Sequence, residues 1–477
     1  MTTRGSTAIV RAAVAGGCAA LLCLLAAQAA DSRTLVVDNT ARAGGDCTEA
    51  MPCRSLADAE RASLPGDTIE LRAGDGTSRG YDRGIRLAAG QRLVGQASET
   101  AALPRISNAD GAGIVLADGV EVSGVAVVDT AGSGISGEGV TDVVLADVRV
   151  MGSGGHGIEL AGCTGDVLAN GLVVADSAMT AISIRGAAGD LKTVLHGVTL
   201  SSTAEGDGLF VHAGGGARIE VTIRDTTFEN VAETGLHAVA DGDASLELEL
   251  TRSAIRGGSV GLDLDVEGSG SAALRIEDGC ELSDIASTAV NLFLGQGSTA
   301  DAILAARIVG AAISKRGGAG SGLRISCNGD GSVAVQAERN TIAGGIAFDH
   351  GIAAEARLGA GRLALELRDN EVQVESSALD GIRISARDRA EVCAVVEDNR
   401  SDGGSGGCGI LVETRESARL ALVGINTPIS SAAEVAEALE ALNPRSSSSC
   451  AVRIERPVET APAGGCRLAG EPDGGAS

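Results

Sequence analysis

The stretch Gly261-Leu-Asp-Leu-Asp-Val266 carries a pattern that returns along most of the chain. A small residue is followed by an aliphatic residue, and a second aliphatic residue comes two positions later. This alternation predicts a strand with one buried and one wet face. The pattern begins, at intervals of 21 to 33 residues, at Gly113, Gly134, Gly157, Ala181, Gly208, Gly235, Gly261, Ala289, Gly322, Gly351, Gly381 and Gly409. A repeat of this length indicates one supersecondary unit stacked on copies of itself.

Each repeat continues through a Gly-rich turn into a second alternating strand, such as Leu246-Glu-Leu-Glu-Leu250. Two strands per repeat predict a parallel β-solenoid, in which equivalent strands of neighbouring coils pair about 4.8 Å apart. A β-propeller blade needs about 40 to 50 residues, so the repeat is too short for one. Several second strands end at an asparagine: Asn230, Asn340, Asn370 and Asn399. We expect these asparagines to adopt left-handed backbone and to satisfy one another between coils.

The composition fits narrow stacked coils. The 477 residues include no Trp, one Tyr and four Phe, but 69 Gly. The core must therefore consist of Ile, Leu, Val and Ala side chains.

Two amphipathic segments are expected to cover the ends of the repeat array, because a solenoid has open ends. Residues Ser55–Ser63 predict an N-terminal capping helix, and Ser431–Leu442 predict a C-terminal helix that ends before Pro444. We therefore divide the chain into a signal peptide (1–30), a cap with the first coils (31–110), parallel β-helix repeats (111–428), a C-terminal helix with the last strand (429–456) and a flexible tail (457–477).

The first 30 residues resemble a secretory signal peptide. Arg4 and Arg11 precede the apolar run 14–27, and Ala27-Gln-Ala29 fits a cleavage site. We expect cleavage near residue 29 and a secreted or periplasmic protein of a bacterial envelope. No apolar run long enough to span a membrane follows the signal.

The chain is strongly acidic, with a formal net charge of −25 at pH 7. Such a body repels phosphate backbones, so a nucleic-acid partner is not expected.

Nine cysteines follow the signal, and export makes disulfides plausible. Cys47 and Cys53 lie close together in a turn-rich segment. Cys408 and Cys450 precede strands that are expected to be neighbours in the stack, within disulfide reach. Because nine is odd, at least one thiol stays free or pairs between molecules.

The segments Cys53-Arg-Ser-Leu56 and Pro65-Gly-Asp-Thr-Ile69 resemble the opening of pectate-lyase-like right-handed parallel β-helix proteins. The resemblance implies an all-β, right-handed parallel β-helix of about a dozen or more coils. That superfamily contains polysaccharide lyases, glycoside hydrolases, epimerases and adhesins, so the resemblance implies a fold and not one activity.

The residues two and four positions after each marker form outward ladders, which bring His237, Asp263, Asp265 and Arg324 onto one face. The Asp263 and Asp265 carboxylates, about 6 to 7 Å apart, suit an acid/base pair or two ligands of Ca²⁺. Arg324 could act as a base, as arginine is proposed to do in the resembling lyases. The plain alternative is a solvated sheet face. A one-residue slip in register would turn these side chains inward.

Family motifs do not settle the activity. The epimerase motif Asp-Pro-His-Asp is absent, and Phe348-Asp-His-Gly351 is interpreted as a turn. We therefore favour an exported non-catalytic scaffold that acts in structure or surface interaction, with a polysaccharide or another surface protein as partner. The alternatives are a polysaccharide lyase or glycoside hydrolase, and a calcium-stabilised extracellular spacer. Apart from Ca²⁺, no cofactor is expected.

Overall fold

The computed structural model describes residues 32–97, 102–316, 318–344, 349–374, 379–404, 407–425, 427–447, 449–461 and 466. The predicted signal peptide and most of the predicted tail lie outside these residues.

The described chain forms a parallel β-solenoid of about 12 stacked coils. Each full coil gives one strand to each of three parallel sheets, whereas the alternation in the sequence predicted two strands per repeat. The expectation was wrong because the third strand is short. It often has only three residues with one buried side chain, as in Thr227–Glu229, and this is too short to show alternation.

Sheet 1 contains the strands that begin at the repeat markers. Its 14 strands are Ile85–Arg86, Ile114–Val115, Ile135–Glu138, Ile158–Ala161, Ile182–Gly186, Leu209–Ala213, Thr234–Ala240, Val260–Val266, Val290–Leu294, Leu323–Cys327, Ile352–Ala356, Ile382–Ala386, Ile410–Thr414 and Ser449–Ile454.

Sheet 2 contains the second alternating strand of each coil. Its 16 strands are Thr34–Val37, Thr68–Arg72, Arg92–Gln96, Glu121–Ser123, Thr141–Ala146, Thr164–Asn170, Asp190–His196, Arg218–Arg224, Ser245–Thr251, Ser271–Glu277, Ile303–Val309, Ser332–Glu338, Arg362–Arg368, Glu391–Glu397, Arg419–Leu422 and Glu459–Thr460.

Sheet 3 contains the short strands. Its 12 members are Arg105–Asn108, Ala126–Thr130, Arg149–Ser153, Val173–Ala175, Thr199–Ser201, Thr227–Glu229, Ala254–Arg256, Glu281–Ile285, Ala312–Lys315, Thr341–Gly344, Glu371–Val374 and Arg400–Asp402.

The markers are small because the start of each sheet 1 strand leaves no room for a side chain. A Cβ atom at Gly157 would lie 2.3 Å from Val174 Cγ1 and 2.6 Å from the carbonyl oxygen of Ala181. Val174 belongs to sheet 3 of the same coil, and Ala181 begins the next coil. The small marker therefore lets sheets 1 and 3 close around a core only a few side chains wide.

The predicted asparagine ladder is present at the corner between sheets 2 and 3. Nδ2 of Asn340 donates to Oδ1 of Asn370 (3.0 Å), Asn370 donates likewise to Asn399 (2.9 Å), and Asn399 donates to Asn443 (3.1 Å). All four side chains are buried. Asn230 lies outside this ladder, at the end of a sheet 3 strand.

Left-handed backbone belongs to the residue before Asn340, Asn370 and Asn399, which corrects the expectation for these three asparagines. Asn230, with a φ of 52°, adopts it as expected. Arg339, Asp369 and Asp398 have φ values of 52°, 53° and 56°. Among the described residues, aspartates fill 10 of the 17 non-glycine positions with positive φ. Aspartate suits these corners because its short side chain tolerates left-handed backbone and accepts local hydrogen bonds.

Two helices cover the ends of the solenoid, as the sequence predicted. Helix α1 spans Leu56–Ala62, with Ser55 as N-cap, and buries Leu56 and Ala59. Helix α2 spans Ala432–Leu442, with Ser431 as N-cap, and buries Val435 and Leu439. Within the described part of the chain, no helix is long and apolar enough to cross a membrane.

Three disulfides join Cys47 to Cys53, Cys408 to Cys450, and Cys393 to Cys466. The first two are the pairs that the sequence suggested. The Cys393–Cys466 disulfide links a residue of the tail to sheet 2. The spacing of the cysteines did not predict this pair. Cys163, Cys280 and Cys327 are buried and form no disulfide with another cysteine of the described residues.

Candidate functional site

The outward ladders of sheet 1 have the register that the sequence predicted. Phe210, His237, Asp263, Asn291 and Arg324 occupy equivalent positions on five successive coils. The parallel ladder two residues further on is made of His212, Val239, Asp265, Phe293 and Ser326.

Three of the four predicted site residues come together in what we call the His237 cluster, made of Asp207, His237, Asp263, Asp265 and Asn291. His237 Nδ1 lies 3.3 Å from Asp207 Oδ2, and its Nε2 lies 3.7 Å from Asp265 Oδ2. Asn291 Nδ2 donates a 2.7 Å hydrogen bond to Asp263 Oδ1. The imidazole of His237 therefore lies between the carboxylates of Asp207 and Asp265. The third carboxylate, that of Asp263, belongs to the same strand as Asp265 and lies two residues before it.

The environment shifts the pKa values within the cluster. The hydrogen bonds of Asp207 and then Asp265 raise the pKa of His237 to about 10, although burial opposes them. The imidazole is thus protonated at neutral pH in the metal-free protein. Burial, and then the charge of Asp265, raise the pKa of Asp263 above its ordinary value.

Two partly exposed phenylalanines flank the cluster. The ring of Phe210 meets His237 edge-on, with centroids 5.1 Å apart, and the Arg185 guanidinium lies 5.2 Å from the Phe210 centroid. Phe293 pairs with Asp265 across the next coil. Two of the chain's four phenylalanines therefore lie on this face, which is a local concentration in a sequence poor in aromatics.

Arg324 does not join the cluster. It pairs with Asn291, which in turn pairs with Asp263, so Arg324 is two coils, or about 9.6 Å of sheet, from Asp263. Its side chain is exposed and forms no ion pair with a described residue. Its predicted role as a base stays a prediction.

His237, Asp263 and Asp265 can each offer one ligand atom, and these atoms lie within 4.8 Å of one another. The sequence considered Asp263 and Asp265 as calcium ligands, and that stays a prediction. The structure adds a histidine nitrogen to the donor set.

Asp207 belongs to the cluster but was not among the site residues predicted from the sequence. It comes directly before the marker Gly208, outside the two ladders, and its side chain is only 9% exposed. Its Oδ1 accepts a 3.0 Å hydrogen bond from the Thr234 N–H. A signal was available, because the residue before a marker is often polar, as at Ser133, Thr180, Ser321 and Asp380.

A second charged group, here called the Glu413 cluster, lies further along sheet 1 and was also missed. Glu413 is 2% exposed and accepts hydrogen bonds from Arg383 (3.1 Å), Arg387 (3.4 Å) and Arg415. Burial raises the pKa of Glu413, but Arg415, Arg387 and Arg383 lower it more, so the carboxylate stays ionised. The recurring signal was an arginine directly after the sheet 1 strand, at Arg357, Arg387 and Arg415.

His350, from the Phe348–Gly351 segment, faces Asp380 at 3.6 Å. Burial nevertheless lowers the pKa of His350, so the imidazole is neutral at pH 7 and the contact is not an ion pair there. Phe348 lies outside the described residues.

One surface hollow of the described structure lies away from both clusters. It is an open groove of about 650 Å³ at the corner between sheets 3 and 1, lined by small residues together with Asp129, Asp176 and Ser202. Asp129 and Asp176 are corner residues with positive φ, so backbone geometry explains their presence.

No protein-family model and no curated protein sequence matches the chain. Among solved structures it is similar to pectate lyase Pel9A, with 13% identity, 73% of this chain and 78% of that chain covered, and a TM-score of 0.30. A DFA-IIIase from Arthrobacter chlorophenolicus A6 has 12% identity, 82% and 94% coverage, and a TM-score of 0.26. A GH136 lacto-N-biosidase from Eubacterium ramulus has 9% identity, 91% and 69% coverage, and a TM-score of 0.25. The resemblance to the pectate-lyase-like superfamily is one of fold and carries no argument about activity.

Proposed function

We propose that the protein is an exported, non-catalytic scaffold that presents sheet 1 as a rigid contact face to a polysaccharide or another surface protein. The signal-like N-terminus and the three disulfides support export. A stacked solenoid supports such a role because parallel pairing holds each coil rigidly against the next.

One observation carries the proposal: the central charges of the two clusters on sheet 1, His237 and Glu413, are already paired with other side chains, most of them on neighbouring coils. His237 is held by Asp207 and Asp265, and Glu413 lies beneath three arginines. General acid/base catalysis needs a group within reach of substrate and poised to exchange a proton. Here His237 and Glu413 instead form ion pairs that link neighbouring coils.

The composition of the face supports contact with a partner. Phe210 and Phe293 expose aromatic surface, and Arg383, Arg387 and Arg415 are each about 30% exposed. Aromatic residues and arginine are the types that contribute most at binding interfaces. An open face of this kind suits an extended polymer or a second protein surface.

The test combines binding and turnover on the same samples. The purified mature protein is added to acidic and neutral polysaccharides and to washed envelopes of the producing organism. Bound protein is measured by co-sedimentation, and turnover by new reducing ends and unsaturated products. We expect binding without turnover. The double variant Phe210→Ala/Phe293→Ala should bind at least tenfold more weakly.

Leu168→Ala is the matched control, because Leu168 is 44% exposed on the outer face of sheet 2. It should bind like the wild type. Equal binding by all three proteins, or no binding by the wild type to any preparation, would rule out sheet 1 as the contact face.

A carbohydrate-active enzyme, either a polysaccharide lyase or a glycoside hydrolase, is the second candidate. The raised pKa of Asp263 favours it, because a carboxyl group that keeps its proton to higher pH can act as a general acid, and a second carboxyl group, Asp265, lies beside it. Turnover of any glycan that Asp263→Asn and Asp265→Asn abolish, while binding persists, would establish this candidate and reject the scaffold.

A further inference from the structure

We propose that His237, Asp263 and Asp265 bind a divalent first-row transition-metal ion of the Zn²⁺ class. Their candidate ligand atoms, one imidazole nitrogen and two carboxylate oxygens, lie within 4.8 Å of one another. Nitrogen and carboxylate ligands of this kind are those that Zn²⁺ takes in proteins.

Asp207 gives the first independent support, because it occupies the other ring nitrogen of His237. Its Oδ2 lies 3.3 Å from Nδ1, and the Thr234 N–H holds its second oxygen at 3.0 Å. This contact leaves Nε2 directed toward Asp265, 3.7 Å away. A carboxylate that orients the far nitrogen of a metal-bound histidine is a recurrent partner of zinc sites.

Asn291 gives the second support. Its Nδ2 donates to Asp263 Oδ1, and its own Oδ1 is buried without a hydrogen-bond partner among the described residues. A buried acceptor without a partner calls for a water or an ion nearby. The Phe210 ring, edge-on to His237, restricts the imidazole from the opposite coil.

The ion class follows from the donors. Ca²⁺ takes six to eight oxygen ligands, and a histidine nitrogen suits it poorly. Ligand atoms around a tetrahedral Zn²⁺ lie about 3.4 Å apart, so the three side chains need to draw in by about 1 Å. Side-chain rotation on fixed strands can supply this shift.

The proposal goes beyond the scaffold function and does not depend on it, since ion binding is measured without any polymer or partner. The protein is treated with a chelator, dialysed and titrated with Zn²⁺ alone by calorimetry, and bound zinc is counted by elemental analysis. We expect one zinc per chain. His237→Gln should weaken binding at least tenfold, and Asp207→Asn should weaken it about 10- to 100-fold.

His212→Gln is the matched control. His212 also contacts an aspartate, with Nε2 2.9 Å from Asp241 Oδ2, but it belongs to the coil before His237 and lacks the paired aspartates. It should bind zinc like the wild type. Far-UV circular dichroism checks the fold of each variant.

A second measurement needs no substitution. The chain has five histidines, so ¹⁵N-histidine labelling gives a small set of ring signals. Saturating Zn²⁺ should shift the Nε2 signal of one imidazole. The proposal is overturned by absence of zinc binding, by unchanged affinity in His237→Gln, by displacement of zinc with an equal concentration of Ca²⁺, or by unshifted ring signals.

Discussion

The two charged clusters of sheet 1 are opposites in composition. In the His237 cluster, one cation lies among three carboxylates from neighbouring coils. In the Glu413 cluster, one buried carboxylate lies among three arginines. Both are centred on the outward ladders of the same sheet, with His237 six coils before Glu413.

The difference lies in how much of the central charge is hidden. The Glu413 side chain is 3% exposed, whereas the His237 side chain is 29% exposed. A buried charge that loses its partners costs far more than a charge that water can reach. The Glu413 cluster should therefore stabilise the stack, and the His237 cluster keeps groups accessible to a ligand.

The largest expected effect is that of Glu413→Gln. The substitution keeps the shape but leaves three guanidinium groups facing one another without the central negative charge. We expect a loss of about 3 to 5 kcal/mol in the free energy of unfolding, measured by denaturant titration at pH 7.

Glu371→Gln is the control, because the Glu371–Arg400 pair at 3.4 Å is exposed on sheet 3. It should change stability by less than about 1 kcal/mol. Equal losses in the two variants would show that burial does not distinguish these carboxylates.

Low pH should remove the contribution of Glu413 to the free energy of unfolding. Its pKa is lowered from the ordinary 4.5, so its stabilising contribution is present above pH 4.5 and is lost as the pH falls through the folded-state pKa. The stability difference between wild type and Glu413→Gln should narrow below pH 4.5. Parallel stability curves down to pH 2 would contradict this linkage.

Alkali should act on the other cluster. The pKa of His237 is raised from 6.5 to about 10 in the metal-free protein, so its contribution is full below pH 6.5 and fades toward pH 10. With a chelator present, His237→Gln should lose about 2 kcal/mol at pH 6. The loss should shrink steadily up to pH 10. A loss that is independent of pH would place the effect in packing against Phe210 instead.

The smallest effect is expected for Arg324→Ala, which marks the boundary between the clusters. Arg324 is exposed and has no ion pair with a described residue. The free energy of unfolding of the variant, measured by denaturant titration, should therefore stay within about 0.5 kcal/mol of the wild-type value. A loss of more than about 1 kcal/mol in the free energy of unfolding would show that Arg324 interacts with the His237 cluster or the Glu413 cluster.

The sequence predicted the stack of coils because small markers and alternating aliphatics recur on every turn. Gly157 illustrates the physical reason, since a side chain there would collide with Val174 and with the next coil. The third strand was missed because three residues with one inward side chain leave no periodic trace. The Cys393–Cys466 disulfide was missed because the spacing of cysteines does not reveal which strand a tail crosses.

The site residues that lie on the outward ladders of sheet 1 could be predicted from the sequence. His237, Asp263 and Asp265 follow from the position after each marker, and the register holds in the structure. Asp207 was not found, because its contact with His237 depends on how the corner before Gly208 turns its side chain. Arg324 was grouped with the others by face alone, and counting coils separates it from Asp263 by two steps.

The corner aspartates explain part of the protein's low isoelectric point without any ligand. Each of these aspartates occupies a corner where the backbone has a positive φ. Every additional coil of the solenoid therefore tends to add a negative charge. A lengthened or shortened relative should change its net charge roughly in proportion to its number of turns, even on surfaces that touch nothing.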